Sequence, residues 1–293
     1  MKTNVSVIMP QLLGDCIMAI PLINQLTIYH NTSIVCNEYT FKILSRIFIK
    51  VPVLSFSSKI AKQNVIIDLL GDSKSVNFIN LTNAKISIGF PDACYDYTFM
   101  LPLPYVYADS QATEIYLASL IFLKIPKPIN LNFSFSQNWI YNNQDLVLIA
   151  PGAGNLERCF SISSFIELAS KISATKKVTF ILGPSEQHLA KFINNQNDVL
   201  ISNTIESTLS HISNARMLIA SEGGLMHLAA AYGIPLIGLF KIASPKNWFP
   251  YSNHRQVAIG DGQNNYDNIN LNVDFPIEEV MSKTKEIYDK IGN

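Results

Sequence analysis

Four short segments of this 293-residue chain join small residues to a charged or titratable side chain, each just after an apolar run. In Pro10-Gln11-Leu12-Leu13-Gly14-Asp15, Gly14 permits a tight turn and Asp15 falls at the start of the next helical stretch. A carboxylate there either caps the helix or, at the carboxyl edge of a sheet, acts as a general base. In Pro151-Gly152-Ala153-Gly154-Asn155 the side chains are small enough for backbone N–H groups to approach an anion. Arg158 is the nearest cation able to reach a phosphate. The segment is not GxGxxG, so a plain strand-to-helix turn reads equally well.

In Ser221-Glu222-Gly223-Gly224-Leu225-Met226-His227 two glycines open a helix whose first turn is expected to carry Glu222 and His227. Exposed N–H groups at such a helix start suit a diphosphate. His227 has no second His four residues away, which rules out an HExxH zinc site. A packed, hydrogen-bonded histidine and a site residue both remain open. In Gly183-Pro184-Ser185-Glu186, Glu186 either accepts from ribose hydroxyls or joins Ser185 in capping a helix.

The elements that must position these segments follow a βαβ pattern, short apolar runs separated by helical periodicity. Strands are expected at Val5–Met9, Ser33–Val35, Val65–Leu69 and Lys85–Gly89, then at Leu146–Ala150, Val178–Leu182, Met217–Ala220 and Leu236–Phe240. Phe165, Ile166, Leu168, Ala169 and Ile172 have helical spacing, with Ser164 and Glu167 placed for a capping box. Residues 109–123 read as one long helix, Pro276–Ile291 as a terminal one, and Gly223–Phe240 as a buried helix, turn and strand. The expectation is an α/β protein with a domain over 1–130, a linker over 131–145, a second domain over 146–275 and a final helix over 276–293. Ligands of open parallel sheets sit outside the carboxyl ends of the strands, where the four segments fall.

Composition narrows the function. Hydrophobic residues make up 48% and charged residues 15%, which excludes a disordered chain. The 22 Lys and Arg balance the 22 Asp and Glu, so no nucleic-acid partner is expected. The four cysteines form no CxxC pair, so no metal site or disulfide framework is read and a cytoplasmic protein is expected. The apolar run near the start is cut by Pro10, too short for a signal peptide.

In this order and spacing the segments resemble glycosyltransferase family nine, the ADP-heptose:lipopolysaccharide heptosyltransferases. IMPQLLGDCIMAIPLINQL looks like the family's first strand and LGD loop. APGAGNLERCFSISSFIELASKI looks like its PGA…K-x-W-P segment and ILGPSEQ like its Gly-Gly/Pro-x-E turn. SEGGLMHLAAAYGIPLIGLFKIASPKNWFPYS looks like its D-[ST]-G-x-x-H-x-A-A-x-x-x-x-P…LF stretch with a trailing W-x-P. The resemblance implies the GT-B architecture, two Rossmann-like parallel-sheet domains facing a central cleft. It also implies inverting, metal-independent transfer with no cofactor, ADP-heptose as donor, and a lipopolysaccharide core or other surface glycan as acceptor. By that resemblance Asp15 matches the base, Arg158 a phosphate-contacting Lys, Glu186 an acidic nucleotide contact, and Gly224 with His227 the D-[ST]-G-x-x-H loop. Gly152, Ala153, Gly154, Glu222 and Gly223 complete the donor set, and Gly14 the acceptor side.

Four positions depart from the pattern: Glu222 replaces Asp, Gly223 replaces Ser or Thr, and Phe160-Ser161 replaces Trp-Pro. They bear on the donor sugar more than on the reaction. Another nucleotide-sugar donor, a GT-B-like epimerase and a non-enzymatic binder are the alternatives, and the LGD loop counts against the epimerase. Lys42, Arg46 and Lys50 fall at i, i+4 and i+8 of an expected helix. They are either a solvated face or a basic strip for a phosphorylated glycolipid, with peripheral contact at the inner membrane. Asp72 and Asp92 are the next candidate bases.

Overall fold

The computed structural model describes residues 2–58, 62–91, 95–102, 111–133, 145–193, 197–250, 256–260 and 274–291. Two compact units divide the chain, Met1–Ser136 and Gln137–Asn293.

The first unit holds β1 (Asn4–Ile8), β2 (Asn31–Cys36), β3 (Val53–Ser55), β4 (Val65–Asp68), β5 (Ile86–Gly89) and β6 (Phe99–Met100). They form one sheet in the order β3-β2-β1-β4-β5-β6, every pairing parallel. The second unit holds β7 (Leu146–Ala150), β8 (Lys177–Leu182), β9 (Asp198–Ile201), β10 (Met217–Ser221), β11 (Leu236–Leu239) and β12 (Gln256–Ile259). Its order, β12-β11-β10-β7-β8-β9, repeats the first, again with parallel pairings throughout. Each unit therefore runs 3-2-1-4-5-6 in its own strand numbers, the doubly wound arrangement of nucleotide-binding folds.

Burial on both faces explains the sequence of the central strands. In β1, Val5, Val7 and Ile8 are wholly buried, with Val7 in register between Ile34 and Ile67. In β7, Val147, Leu148 and Ile149 are equally buried. Such strands read as continuous apolar runs, and all eight expected strands are present. The four not expected, β3, β6, β9 and β12, are the four sheet edges. They have two to four residues each and are partly exposed, so they lack the apolar run that marks an interior strand.

Two helical expectations are corrected. Residues 109–123 are not one helix: Ala112–Leu117 and Ser119–Phe122 flank Ala118, and residues 109–110 lie outside the described ones. The Ser119 hydroxyl donates to the Tyr116 carbonyl at 2.7 Å and competes with the helical ladder at the break. The helix over Phe165–Ile172 starts at Ile162, and its cap is Ser161, whose hydroxyl accepts from the Ser164 N–H at 3.3 Å. Phe165, Leu168, Ala169 and Ile172 face the core as expected, against Val280 and Ile287 of the terminal helix Ile277–Ile291. Gly223–Phe240 is a helix, Gly224–Ala231, then a turn at Gly233 (φ +74°) and β11. Left-handed φ at Gly233 suits the residue just past a helix end. No helix among the described residues is long and apolar enough to cross a membrane. Most of the expected linker, residues 134–144, lies outside the described residues.

Candidate functional site

In the second unit the strand order reverses between β7 and β10, so their carboxyl ends flank the switch point of the sheet. A hydrogen bond joins the loops there. The buried Ser221 hydroxyl donates to the Pro151 carbonyl at 2.9 Å. A methyl added to Gly223 would reach ordinary van der Waals contact with Ala153, at 3.7–3.8 Å, so the two loops run close together there. Gly223 is also the N-cap of Gly224–Ala231 and offers no side-chain bond to the first-turn N–H groups. Its backbone is extended (φ 170°), which any residue can adopt, so a side chain is not excluded there. Gly154 faces open space.

Glu222 precedes the helix rather than sitting in its first turn, and is 3% exposed. Its carboxylate meets the backbone after β11: Oε1 accepts from the N–H groups of Ile242 at 3.1 Å and Ala243 at 3.3 Å, and Oε2 from Ala243 at 3.1 Å. Burial pushes its carboxyl pKa up, against those N–H bonds and the charge of Arg158, which pull it down. His227, in the helix, is 5% exposed, and its Nδ1 is buried with no partner among the described residues. Burial, then the charge of Arg158, pushes its pKa down to about 4, so the ring is neutral near pH 7. Arg158 thus acts on both Glu222 and His227 from the end of a one-turn helix, Leu156–Arg158.

Glu186 enters from the β8 end. A methyl on Gly152 would overlap its Cγ, and one on Gly183 would meet its Oε2 at 2.5 Å. Those two glycines therefore let the Glu186 side chain lie across the ends of β7 and β8. Ser185 donates to Glu186 Oε1 at 2.6 Å. Burial raises the pKa of the neighbouring Cys159 thiol, a bond with the Ala153 backbone lowers it, and the charges of Glu186, Lys241 and Glu222 also act on it. One neighbourhood gathers the loops after β7, β8, β10 and β11.

Lys241, which sequence reasoning missed, belongs to that neighbourhood. It directly follows the apolar run of β11, yet is only 3% exposed, and its Nζ donates to the Cys159 carbonyl at 2.8 Å. The signal available was its position, at the carboxyl edge of an interior strand.

In the first unit Asp15 lies in the first turn of Leu13–Met18, half-exposed, after the N-cap Leu12, which makes no side-chain bond. The adjoining Cys16 thiol donates to the Pro10 carbonyl at 3.2 Å and pins the loop that carries Gly14 and Asp15. Asp15 acts on the buried Tyr116, whose pKa is raised first by burial and then by that charge. Asp72 is committed elsewhere: its Oδ1 caps Ser73–Thr82, accepting from Lys74 and Ser75 N–H groups at 2.9 Å. Asp92 lies outside the described residues. Asp68, not anticipated, is wholly buried at the end of β4 and accepts from Leu70, Gly71 and the Tyr97 hydroxyl. Lys42 and Arg46 are exposed on Glu38–Ile47, but Lys50 lies beyond its end, because the chain turns at the buried Phe48.

A family model described as glycosyltransferase family 9 (heptosyltransferase) matches residues 127–271. No match is found among curated proteins. Among solved structures, the chain is similar to E. coli ADP-heptose LPS heptosyltransferase II, with TM-score 0.81 and 16% identity over 99% of this chain and 100% of that one. It is similar to a family 9 glycosyl transferase from Veillonella parvula DSM 2008, at TM-score 0.78 and 15% identity over 97% of each chain. E. coli heptosyltransferase WaaC with ADP matches at TM-score 0.75 and 15% identity, over 97% of this chain and 100% of that one. Identities this low speak to the fold, which is the GT-B type those structures share.

Proposed function

We propose that this chain, whose residues 127–271 match the model of glycosyltransferase family 9 (heptosyltransferase), is an inverting transferase of that family moving a heptose-like sugar from ADP-heptose to a lipopolysaccharide core or other surface glycan. The observation that carries this reading is the gathering of Arg158, Glu186 and His227 at the carboxyl ends of β7, β8 and β10. A nucleoside diphosphate has the chemistry to meet each. Arg158 and the N–H groups of Gly152–Gly154 and Gly224 receive the diphosphate, and neutral His227 adds a ring nitrogen without a competing charge. Glu186 accepts from ribose hydroxyls, while Glu222 holds the loop after β11 in place. ADP is the nucleotide named with one similar structure and ADP-heptose that of another, which supports the choice of donor.

Asp15 is the base in this reading. It takes the acceptor hydroxyl proton as that oxygen bonds to the anomeric carbon and the bond to the diphosphate breaks, with inversion. Positive charge for the leaving group comes from Arg158 and helix N–H groups, so no metal or cofactor is required. In this reading Lys42 and Arg46 attract an anionic glycolipid, in keeping with a cytoplasmic enzyme in peripheral contact with the inner membrane. One observation favours a second donor: Gly223 supplies no hydroxyl where the family carries Ser or Thr, so a different nucleotide sugar can be accommodated.

The test is nucleotide release from ADP-heptose and a panel of other nucleotide sugars, with and without glycan acceptor. A donor at ~100 times its dissociation constant adds ~2.7 kcal/mol of stability, so a thermal-shift screen selects the panel. Release that depends on acceptor supports transfer. Donor binding without acceptor-dependent release reduces the protein to a binder and overturns the reading.

A further inference from the structure

Arg158 has weak local support. Its one-turn helix, Leu156–Arg158, buries no residue, and Leu156 is 77% exposed. On the amino side the Asn155 side chain accepts from the Glu157 N–H at 3.0 Å. On the carboxyl side the chain is held at Cys159 and Phe160. Phe160 packs edge-on against Phe275, with ring centroids 5.3 Å apart, and the Cys159 carbonyl accepts from Lys241. Burying an ammonium is costly unless hydrogen bonds and nearby charge compensate it. Lys241 nevertheless sits 3% exposed, bonded at 2.8 Å to a main-chain carbonyl and 5.7 Å from the centre of the Phe160 ring. Its own segment is held in turn: Glu222 bonds the next two backbone N–H groups, at Ile242 and Ala243. The connection runs from the end of β10, through the loop after β11, to the residue following Arg158.

We propose that Lys241 is a positioning residue for the donor phosphates: by holding the Cys159 carbonyl it fixes the backbone from which Arg158 reaches the diphosphate, and Glu222 holds Lys241. This rests on the reading of the second unit as a nucleoside-diphosphate site.

The experiment is a double-mutant cycle read as ADP affinity by calorimetry, with Lys241→Met, which keeps the apolar stem and removes the ammonium, and Arg158→Ala. Lys241→Met is expected to weaken ADP about 5- to 20-fold in the parent, part of what a charge-assisted bond supports, and to have little effect once Arg158 is gone. Lys241→Arg, which retains a buried donor, should recover most of the affinity. Should Lys241→Met fail to fold, Glu222→Gln tests the same connection from its other end, and its loss of affinity must likewise vanish in the Arg158→Ala background. Equal losses with and without Arg158, or unchanged affinity in Lys241→Met, overturn the proposal and leave Lys241 a packing residue. A parent protein that binds neither ADP nor another nucleoside diphosphate overturns the underlying reading instead.

Discussion

His227 makes the protein acid-sensitive by a calculable amount. The ring is 5% exposed, and its pKa is held down to about 4 by burial, reinforced by Arg158, whereas in the unfolded chain it titrates near 6.5. At ~1.36 kcal/mol per pH unit the difference is worth about 3 kcal/mol. Between those values the unfolded chain takes up a proton that the folded chain refuses. The contribution is therefore complete above pH ~6.5 and is lost as pH falls towards about 4. Three kcal/mol is a large part of the ~5–15 kcal/mol typical of a folded domain, so it is measurable. Urea unfolding followed by circular dichroism, from neutral pH down to about pH 4, should be run on the parent and on His227→Gln. The substitution costs some stability at neutral pH, but the parent should lose about 3 kcal/mol more than the variant on acidification. Parallel pH profiles, or a signal assigned to the His227 imidazole that titrates near 6.5 in the folded protein, would refute a neutral, buried His227.

Three other substitutions or treatments bear on the site. Asp15→Asn should fold normally and bind donor like the parent, yet lose at least ~100-fold in turnover, because a positioned base contributes ~10²–10⁴-fold; normal turnover removes Asp15 from the chemistry. Transfer should persist in excess EDTA, since Arg158 and helix N–H groups supply the positive field, and abolition with rescue by a divalent cation would contradict this. Gly152→Ala drives a methyl into Cγ of Glu186, a flexible side chain that can yield, so thermal stability should change little while ADP affinity falls roughly 10-fold. Combined with Glu186→Ala, the Gly152 substitution should add no further loss; an additive loss would separate the two residues.

What the sequence could reveal follows from where each residue's partners lie. Interior strands such as β1 and β7 are buried on both faces and appear as unbroken apolar runs, whereas β9, at an edge, reads Asp-Val-Leu-Ile with both ends exposed. The site loops were visible because small residues directly after an apolar run are unusual enough to notice. The direction of Glu222 was not visible, since its partners, Ile242 and Ala243, are brought near only by the pairing of β10 with β11. Lys241 stayed hidden for a similar reason: a lysine after a strand ordinarily points into solvent, and only the path of the β7 loop gives it a carbonyl to bond. The cap at Ser161 was misplaced by three residues, a local competition among Ser161, Ser163 and Ser164 that spacing alone does not settle.

Each sheet is built outward from its middle, and this shapes how the chain is made. β7, the first strand among the described residues of its unit, finishes between β8 and β10. Ala150 leaves the ribosome well before Met217, and at ~5–20 residues per second that interval lasts roughly 3–13 s. Throughout it an apolar strand, Leu146–Ala150, has one flank with no partner yet in existence, an open edge that can pair with any other nascent chain. β1 passes through the same exposure until Val65 appears. The first-made strand of each half is thus its most aggregation-prone part during synthesis, and among its best protected once the half is complete.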